Sequence, residues 1–538
     1  MKPITVSLLA AALIAGCSKP QDAAPVVVAS PTPIASAAAA AAIHADAGIA
    51  WKQAANDGDV DAAFAQAKAE SKPVFVYWGA KWCPPCNQVK ATLFNRQDFI
   101  ERSRAFVPVY VDGDSPGAQK LGARFHVSGY PTMVLFNPQG TELTRLPGEV
   151  EAERYTQVLT LGMNAQRPVK EVLAQVKTDA KGLSANDWRL LAFYSWDTDQ
   201  QLVPKDGIPA MLQQLADACP AEQGEIATRL RLKALAAVDE KAPAKPDAVA
   251  QATLLKVLAD PAASRVHLDM LTNYPADITR ALSNPASPQR AELLQAFDTA
   301  LKRFEADTTL SRADRMQALI AQVDLARIDA KKDAVVTLPE PLLADIREQT
   351  ARADREITDG YERQAVITAA AYLLDEAGLS TESDTLLKAN LAKSHSPYYL
   401  MSELASNAKK RGDKAEALNW YEQAFDKSEG PATRLQWGSS FVNALVDLAP
   451  QDEARIEKAV SQLFTEAAKQ PDAFYERSGR SLQRVGTKLQ GWNKGGTHAA
   501  AIKRLQAQLD GLCGGLDQAD AQRARCTALL KPAPKAIA

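Results

Sequence analysis

Residues 72–94 read KPVFVYWGAKWCPPCNQVKATLF, and this segment carries the clearest structural signal in the chain. Its first part, residues 74–78, is an unbroken run of β-forming residues, which predicts a buried strand. From Pro84 onward the apolar residues recur at helical spacing, which predicts a helix. Cys83 therefore lies at a strand-to-helix junction, at the N-cap of the helix, and Cys86 lies in the first turn.

The position of Cys83 has chemical consequences. A helix N-terminus has unpaired N–H groups and a partial positive charge, and both favour the thiolate over the thiol. We therefore expect Cys83 to be the exposed nucleophile and Cys86, three residues later, to resolve the mixed disulfide. Pro85 removes one backbone donor and the intervening dipeptide contains no histidine. This predicts a less stabilised thiolate, and a reduction potential on the reducing side.

The cysteine pair has two other interpretations. A structural zinc site needs four ligands, usually from a second pair, whereas the other cysteines are distant and the five histidines are scattered. A static disulfide is the second alternative, although a two-residue spacer at a helix start is typical of labile disulfides rather than structural ones. The sequence thus favours a redox-active disulfide, with no metal and no other cofactor.

The segments that follow alternate between strand and helix patterns. Residues 106–114 predict a second strand, and residues 115–127 predict a short helix with a loop. Two more strands are expected at residues 133–136 and 142–146, joined by a turn, and a closing helix at residues 151–162. This order predicts an α/β domain in this part of the chain.

Three motifs in order resemble the thioredoxin family, and most closely its exported thiol:disulfide interchange members. They are WCPPC, the later GYPT, and a hairpin that ends in PG, within residues 50–163. The resemblance implies a thioredoxin fold and thiol:disulfide oxidoreductase activity, with Cys83 and Cys86 as the catalytic pair.

The same resemblance assigns further residues and shows one departure. It implies a cis peptide before Pro131 and a substrate-binding role for Trp82, Tyr130 and Pro131; a trans proline at the start of a strand is the alternative. Many thioredoxins have a buried acid six positions before the first cysteine, whereas this chain has Tyr77. Asp112 is a candidate for the proton acceptor, which leaves the proton route open.

The start of the chain has the pattern of an export signal. Residues 4–15 form an apolar run of signal-peptide length that ends in LIAGC, which resembles the lipobox of bacterial lipoproteins. The resemblance implies a signal peptide over residues 1–17 and lipidation at Cys17; an ordinary signal peptide with a chance cysteine is the alternative. Ser18 resembles outer-membrane sorting, so a periplasmic, lipid-anchored protein is expected. Residues 18–49, rich in Ala, Pro and Ser, predict a tether.

Composition and cysteine usage restrict the remaining possibilities. The 538 residues exceed a single core, and the net charge of −2 without a basic stripe argues against nucleic acid as a partner. In an oxidising compartment, Cys513 and Cys526 are candidates for a structural disulfide. Cys219 is then either a buried small residue or a free thiol.

The rest of the chain predicts an all-α region. Residues 168–360 read as helices without a clear period, and residues 361–530 as a tetratricopeptide-like array. The clearest repeat is LASNAKKRGDKAEALNWYEQAFDKSEGP, residues 404–431, whose Gly412 aligns with Gly378 thirty-four residues earlier. A generic α-helical domain is the alternative. Arrays of this kind usually bind protein.

These patterns support three functional hypotheses. The first is a membrane-tethered thiol:disulfide reductase or isomerase, which acts on exported proteins with cysteines, receives electrons from an upstream thiol reductant, and uses the helical region to hold clients or partners. The second is a helical scaffold or adaptor lipoprotein in which the thioredoxin-like part is mainly a docking module. The third is a specialised thiol donor to a maturation or repair pathway.

Overall fold

The structure is a computed structural model that describes residues 48–148, 151–199, 201–331, 334 and 336–531. The predicted signal peptide, the lipidation site Cys17 and nearly all of the predicted tether lie outside the described residues. At the end of that tether, Ile49 packs against the core of the folded chain. Within the described part of the chain, every helix is too short or too polar to cross a bilayer.

A five-stranded mixed sheet forms the centre of the N-terminal domain. The central strand, residues 74–79, is buried at every position because neighbours and helices cover both its edges and both its faces, which explains its continuous apolar sequence. It runs parallel to the strand at residues 107–112 and antiparallel to the strand at residues 132–136. The strand order is β1-β3-β2-β4-β5, and the strands are β1 Lys52–Gln53, β2 Val74–Gly79, β3 Val107–Asp112, β4 Thr132–Phe136 and β5 Glu142–Leu146.

Helices flank this sheet, and most of them follow the predicted order. The first begins after Asn56, whose side chain and that of Asp59 form a reciprocal capping box. This helix, the short helix at residues 97–103 and the short strand β1 were not expected from the sequence, whereas the strands at residues 133–136 and 142–146 are confirmed. The helices are α1 Asp57–Glu70, α2 Pro84–Thr92, α3 Gln97–Ser103, α4 Ala118–Arg124 and α5 Ala152–Met163.

The remainder of the chain is helical, as predicted. Its helices are α6 Val169–Asp179, α7 Ala185–Phe193, α8 Ile208–Ala218, α9 Gly224–Ala236, α10 Ala248–Ala259, α11 Pro261–Val266, α12 Leu268–Asn273, α13 Pro275–Leu282, α14 Pro288–Ala306, α15 Arg312–Ala326, α16 Glu340–Glu356, α17 Gly360–Glu376, α18 Ser380–Asn390, α19 Pro397–Lys410, α20 Lys414–Lys427, α21 Pro431–Leu448, α22 Glu453–Ala468, α23 Glu476–Trp492, α24 Ala499–Gly514 and α25 Ala521–Ala528. Short 3₁₀ turns join several of them.

The helix pair predicted around Gly412 is present. Gly412 has φ of +80° between α19 and α20, and Gly378 has φ of +81° between α17 and α18. Both glycines therefore make the same left-handed turn, which a side chain with a Cβ would disfavour. Ala405 and Ala417 are fully buried where these helices approach each other. The tetratricopeptide identity of the array stays a prediction.

The α/β domain and the first helices of the helical region share one hydrophobic core. Phe75 and Leu135 on one face of the sheet pack in the same cluster as Trp188, Leu191 and Leu212 of the helical region. The opposite face of the sheet has its own core with α1 and α4. The helical region is therefore fused to the sheet rather than connected to it by a free linker.

Candidate active site

Cys83 occupies the N-cap of α2, as the sequence predicts. Its backbone is extended, and its Sγ accepts a hydrogen bond from the backbone N–H of Cys86 at 3.2 Å. The two cysteines are disulfide-bonded, with their Cα atoms 5.2 Å apart. Asn87, buried in the same helix, donates from Nδ2 to the carbonyls of Lys81 and Cys83, both at 2.8 Å. These bonds hold the loop before the helix in place, and with it the Cys83 sulfur.

The sulfur of Cys83 lies beside the loop that precedes β4. The peptide bond between Tyr130 and Pro131 is cis, as the resemblance implied. Cys83 Sγ is 3.6 Å from the Tyr130 carbonyl oxygen, and both Tyr130 and Pro131 remain partly exposed. The structure thus brings the cysteine pair and the two residues of this loop together; the role of these two residues in substrate binding stays a prediction.

The Cys83–Cys86 pair is buried, and the expectation of an exposed Cys83 is wrong. Cys83 is 2% exposed, Cys86 is fully buried and Trp82 is 6% exposed. The covering side chains come from the C-terminal helices: Tyr398, Met401, Ala424 and Trp437 pack in one cluster with the WCPPC motif. At the N-cap position a sulfur is not covered by its own helix. That position does not determine whether a distant part of the chain packs over the sulfur.

Trp82 is held by several interactions with the helical region. Its Nε1 donates a hydrogen bond to Thr433 Oγ1 at 2.7 Å. Its ring meets the Trp437 ring edge-on, with 5.0 Å between centroids, and the Arg477 guanidinium lies 4.3 Å from its centroid in a cation–π geometry. In this arrangement Trp82 packs inside the chain, so a partner does not reach its ring.

Asp114 links the loop after β3 to the start of α21. Its Oδ1 accepts from the backbone N–H of Thr433 and its Oδ2 accepts from Thr433 Oγ1, both at 2.6 Å. Burial raises the pKa of Asp114 to about 6, and the two Thr433 hydrogen bonds oppose this rise. Nearby, Lys81 forms an exposed ion pair with Glu429 at 3.1 Å, of the kind that contributes at most about 1 kcal/mol.

The position of the usual buried acid is filled by an aromatic cluster. The Tyr77 ring stacks on Tyr110 at 5.3 Å, and its hydroxyl has no hydrogen-bond partner among the described residues. Burial raises the pKa of Tyr77 well above its usual value, so this side chain does not accept a proton. Asp112 ends β3 opposite Gly79 of β2. Burial lowers the pKa of the neighbouring Lys90, and Asp112 opposes that shift.

Comparison with known proteins agrees with this geometry. A family model described as a thioredoxin-like domain matches residues 60–162. Residues 60–162 form a thioredoxin-like domain. Over this domain the chain is similar to thiol:disulfide interchange protein DsbD 1 of Pseudomonas aeruginosa, with 28% identity over 106 residues, 19% of this chain and 18% of the relative.

Two further relatives have the same kind of name. The chain is 30% identical over 98 residues to DsbD 2 of Pseudomonas aeruginosa, covering 18% of this chain and 17% of the relative. It is 29% identical over 121 residues to DsbD of Klebsiella pneumoniae, covering 22% of this chain and 20% of the relative. This chain therefore spans about a fifth of the length of these relatives.

The other cysteines that the structure describes belong to the helical region. Cys513 and Cys526 are disulfide-bonded with Cα atoms 5.7 Å apart, and they join α24 to α25 in a buried position. Cys219 is a half-buried free thiol whose pKa burial raises to about 11, so at neutral pH it is not a ready nucleophile.

Several site residues were missed by sequence reasoning. Thr433, Trp437 and Arg477 touch the WCPPC motif of the thioredoxin-like domain, yet they follow it by several hundred residues. In the sequence they read as ordinary residues of amphipathic helices, because helical periodicity marks a face as buried without naming its partner. One sequence carries no signal that pairs them with Trp82.

Proposed function

We propose that this chain is a periplasmic thiol:disulfide oxidoreductase that acts on exported proteins with cysteines. One observation carries the proposal: Cys83, at a helix N-cap and bonded to Cys86, lies 3.6 Å from the carbonyl of a cis Tyr130–Pro131 pair. The similar proteins are named thiol:disulfide interchange proteins, which supports the same chemistry.

The reaction proceeds by two exchanges. The Cys83 thiolate attacks one sulfur of a client disulfide; that S–S bond breaks, the other client sulfur leaves as a thiolate, and a mixed disulfide forms. The Cys86 thiolate then attacks the Cys83 sulfur, which releases the first client sulfur as a thiolate and closes the Cys83–Cys86 disulfide. Two electrons pass to the client, and both client thiolates take protons from solvent. A dithiol reductant restores the starting state by the same exchange in reverse.

The direction of electron flow follows from the motif. Pro84 and Pro85 bring no charge or side-chain donor to the thiolate, so the reduced form is less stabilised than in a strong oxidant. We therefore assign a reductase or isomerase role. A measured reduction potential near about −120 mV, typical of a strong oxidant, would contradict that role.

The location and the helical region belong to the same proposal. Lipid on Cys17 would anchor the protein to a membrane, the outer membrane if Ser18 directs sorting, and residues 18–49 would act as the tether. Residues 361–530 would hold clients or partners as a tetratricopeptide-like array. Globomycin sensitivity of processing and labelling by a fatty acid analogue would test the anchor, with Cys17→Ala as the control.

Trapping of the mixed disulfide tests the activity. With Cys86→Ala, the second exchange is blocked, so client proteins should remain attached to Cys83 and be identified by mass spectrometry. The matched control is Cys83→Ala with Cys86→Ala, which has no attacking sulfur and should capture none. Attachment of glutathione alone would count against protein clients.

A scaffold or adaptor role is the second candidate, and the burial of the dithiol beneath the helical region favours it. A lipoprotein that works only as a scaffold does not need its sulfurs. Full cellular function of the double variant Cys83→Ser, Cys86→Ser would therefore favour the scaffold, whereas loss of function together with loss of disulfide reduction would support the enzyme.

A further inference from the structure

The face of the thioredoxin-like domain that contains the dithiol is occupied by the chain itself. Residues 397–492, which we call the cap, place Tyr398, Met401 and Trp437 against Trp82 and the two cysteines. The cover is apolar and mostly aromatic, and it leaves Cys83 only 2% exposed. A folded protein that carries a disulfide has no path for its sulfur to the Cys83 sulfur in this arrangement.

Hydrogen bonds along the boundary hold the cap in register. Thr433 is central, because its hydroxyl accepts from Trp82 Nε1 and donates to Asp114 Oδ2 while its backbone N–H donates to Asp114 Oδ1. A second set of bonds surrounds Gln119: its backbone N–H donates to Asp472 Oδ2 at 2.7 Å, and its Oε1 accepts from the backbone N–H of Arg477 at 3.0 Å.

The helical region contacts the thioredoxin-like domain at several places: α6 to α9 lie against the sheet, α17 lies against α2 with Gln364 donating to the Trp82 carbonyl, and the cap lies over the cysteines. These attachments differ in extent. Helices α6 to α9 share a continuous apolar core with the sheet, and opening this attachment would expose large apolar side chains to water. The cap has one small apolar cluster around Trp82, and its other contacts are the polar bonds described above, the exposed ion pair between Lys81 and Glu429 and the bond from Arg480 to the Ser128 carbonyl. Such groups exchange their partners for water at small net cost. The apolar cluster beneath the cap is also much smaller than the core that α6 to α9 share with the sheet, so the cap is the attachment that can release.

We propose that the cap is an intramolecular gate, and that the dithiol exchanges with a protein client only after the cap has moved off Trp82. The closed state shields the sulfurs from unselected thiols, and a client that binds the open form shifts the population toward it. The identity of the client rests on the proposed function, but the closure does not. It is a property of Cys83 that is measurable without any activity.

The test follows alkylation of Cys83 in the full chain. The Cys86→Ala background leaves Cys83 as a free thiol and keeps the Cys513–Cys526 bond intact without added reductant. Labelling by iodoacetamide and by a maleimide on a long polyethylene glycol chain is read at the Cys83 peptide by mass spectrometry. The expected rate with the bulky reagent is slow and becomes independent of reagent concentration, because opening limits it.

Removal of the Thr433 hydroxyl tests the hydrogen bonds that hold the cap closed, which we call the latch. Thr433→Val keeps the shape of the side chain but leaves Trp82 Nε1 and Asp114 Oδ2 without this partner, so bulky labelling should accelerate about tenfold. Thr465→Val is the matched control on the exposed face of α22 and should leave the rate unchanged. If Thr433→Val does not fold, Arg477→Lys removes the guanidinium above Trp82 and should give the same acceleration. Arg504→Lys, at an exposed position of α24, is its control.

Each outcome supports or contradicts the gate, the latch or the proposed function. A wild-type rate that rises in proportion to the bulky reagent and equals that of an exposed thiol overturns the gate. Wild-type rates in both Thr433→Val and Arg477→Lys overturn the latch. Slow, saturating labelling in a protein that reduces no protein disulfide, even with Thr433→Val, keeps the gate and removes the proposed function. Fast labelling in a protein with full reductase activity overturns the gate and keeps the proposed function.

Discussion

Replacing Asp114 by Asn is expected to change the stability of this chain in a way that depends on pH. Asp114 accepts two hydrogen bonds from Thr433 at the start of α21, and burial raises its pKa from 3.8 to about 6. The substitution removes the ionisable group while keeping nearly the same shape. The groups that face this carboxyl from the surrounding elements are Asp112, Tyr130, Tyr398 and Arg477.

The sign follows from proton linkage. The raised pKa means that the folded chain holds a proton that the unfolded chain has lost, so the contribution of Asp114 to stability is greatest below pH 3.8 and disappears as the pH rises through about 6. At pH 5 the carboxyl is mostly protonated in the folded chain and mostly ionised in the unfolded chain. Proton binding therefore favours the folded chain roughly tenfold, which is about 1.4 kcal/mol. At pH 8 Asp114 is ionised in both the folded and the unfolded chain, so its proton contributes about zero to stability. The amide of the Asp114→Asn variant does not titrate.

The assay is urea unfolding of both proteins, followed by tryptophan fluorescence, at several pH values from 5 to 8. The free energy of unfolding of Asp114→Asn, relative to wild type, should rise by about 1.4 kcal/mol over this range. Asp413→Asn, which removes the same charge from the exposed N-cap of α20, is the matched control. A difference that stays flat, or that falls as the pH rises, would refute the reasoning about a desolvated carboxyl at this boundary.

Two further predictions concern the stability of the helical region. A Cβ at Gly486 would lie 2.3 Å from the Leu529 carbonyl oxygen, so Gly486→Ala should destabilise the chain by about 1–3 kcal/mol in thermal melts. Gly491 in the same helix has open space around it, so Gly491→Ala should be neutral or stabilising by up to about 1 kcal/mol; equal effects would show that the close approach is absent. Replacing Cys513 and Cys526 together by Ala should lower the free energy of unfolding by about 3 kcal/mol, because the bridge restricts the loop between them in the unfolded chain. An unchanged melting temperature would contradict this.

Local sequence signals predicted the thioredoxin-like domain well because its elements depend on neighbouring residues. The apolar run at residues 74–78 became β2, and the change of period at Pro84 became the start of α2 with Cys83 as its N-cap. The two-residue strand β1 was missed, since Lys52 and Gln53 are polar and exposed and pair only at the edge of the sheet. Such a strand is determined by its partner β3, not by its own residues.

The exposure of the nucleophile was predicted wrongly, and the reason is physical. Burial of Cys83 depends on Tyr398, Met401 and Trp437, whose apolar surfaces in the sequence are compatible with any helix–helix contact. The hydrophobic effect that drives this packing has no direction, so periodicity indicates which face is buried and not against what. The same holds for Thr433, whose hydroxyl bridges Trp82 and Asp114 only because the chain returns to this point.

By itself the amino-acid sequence determined the chemistry of this protein: two sulfurs at a helix N-terminus, because the unpaired N–H groups there belong to the adjacent residues and need no distant partner. It also determined the α/β and all-α composition of the two parts, since strand and helix periods are local. Tertiary structure alone decided that the dithiol is covered. That arrangement depends on contacts between residues hundreds of positions apart, and packing of complementary surfaces, rather than any local preference, selects them.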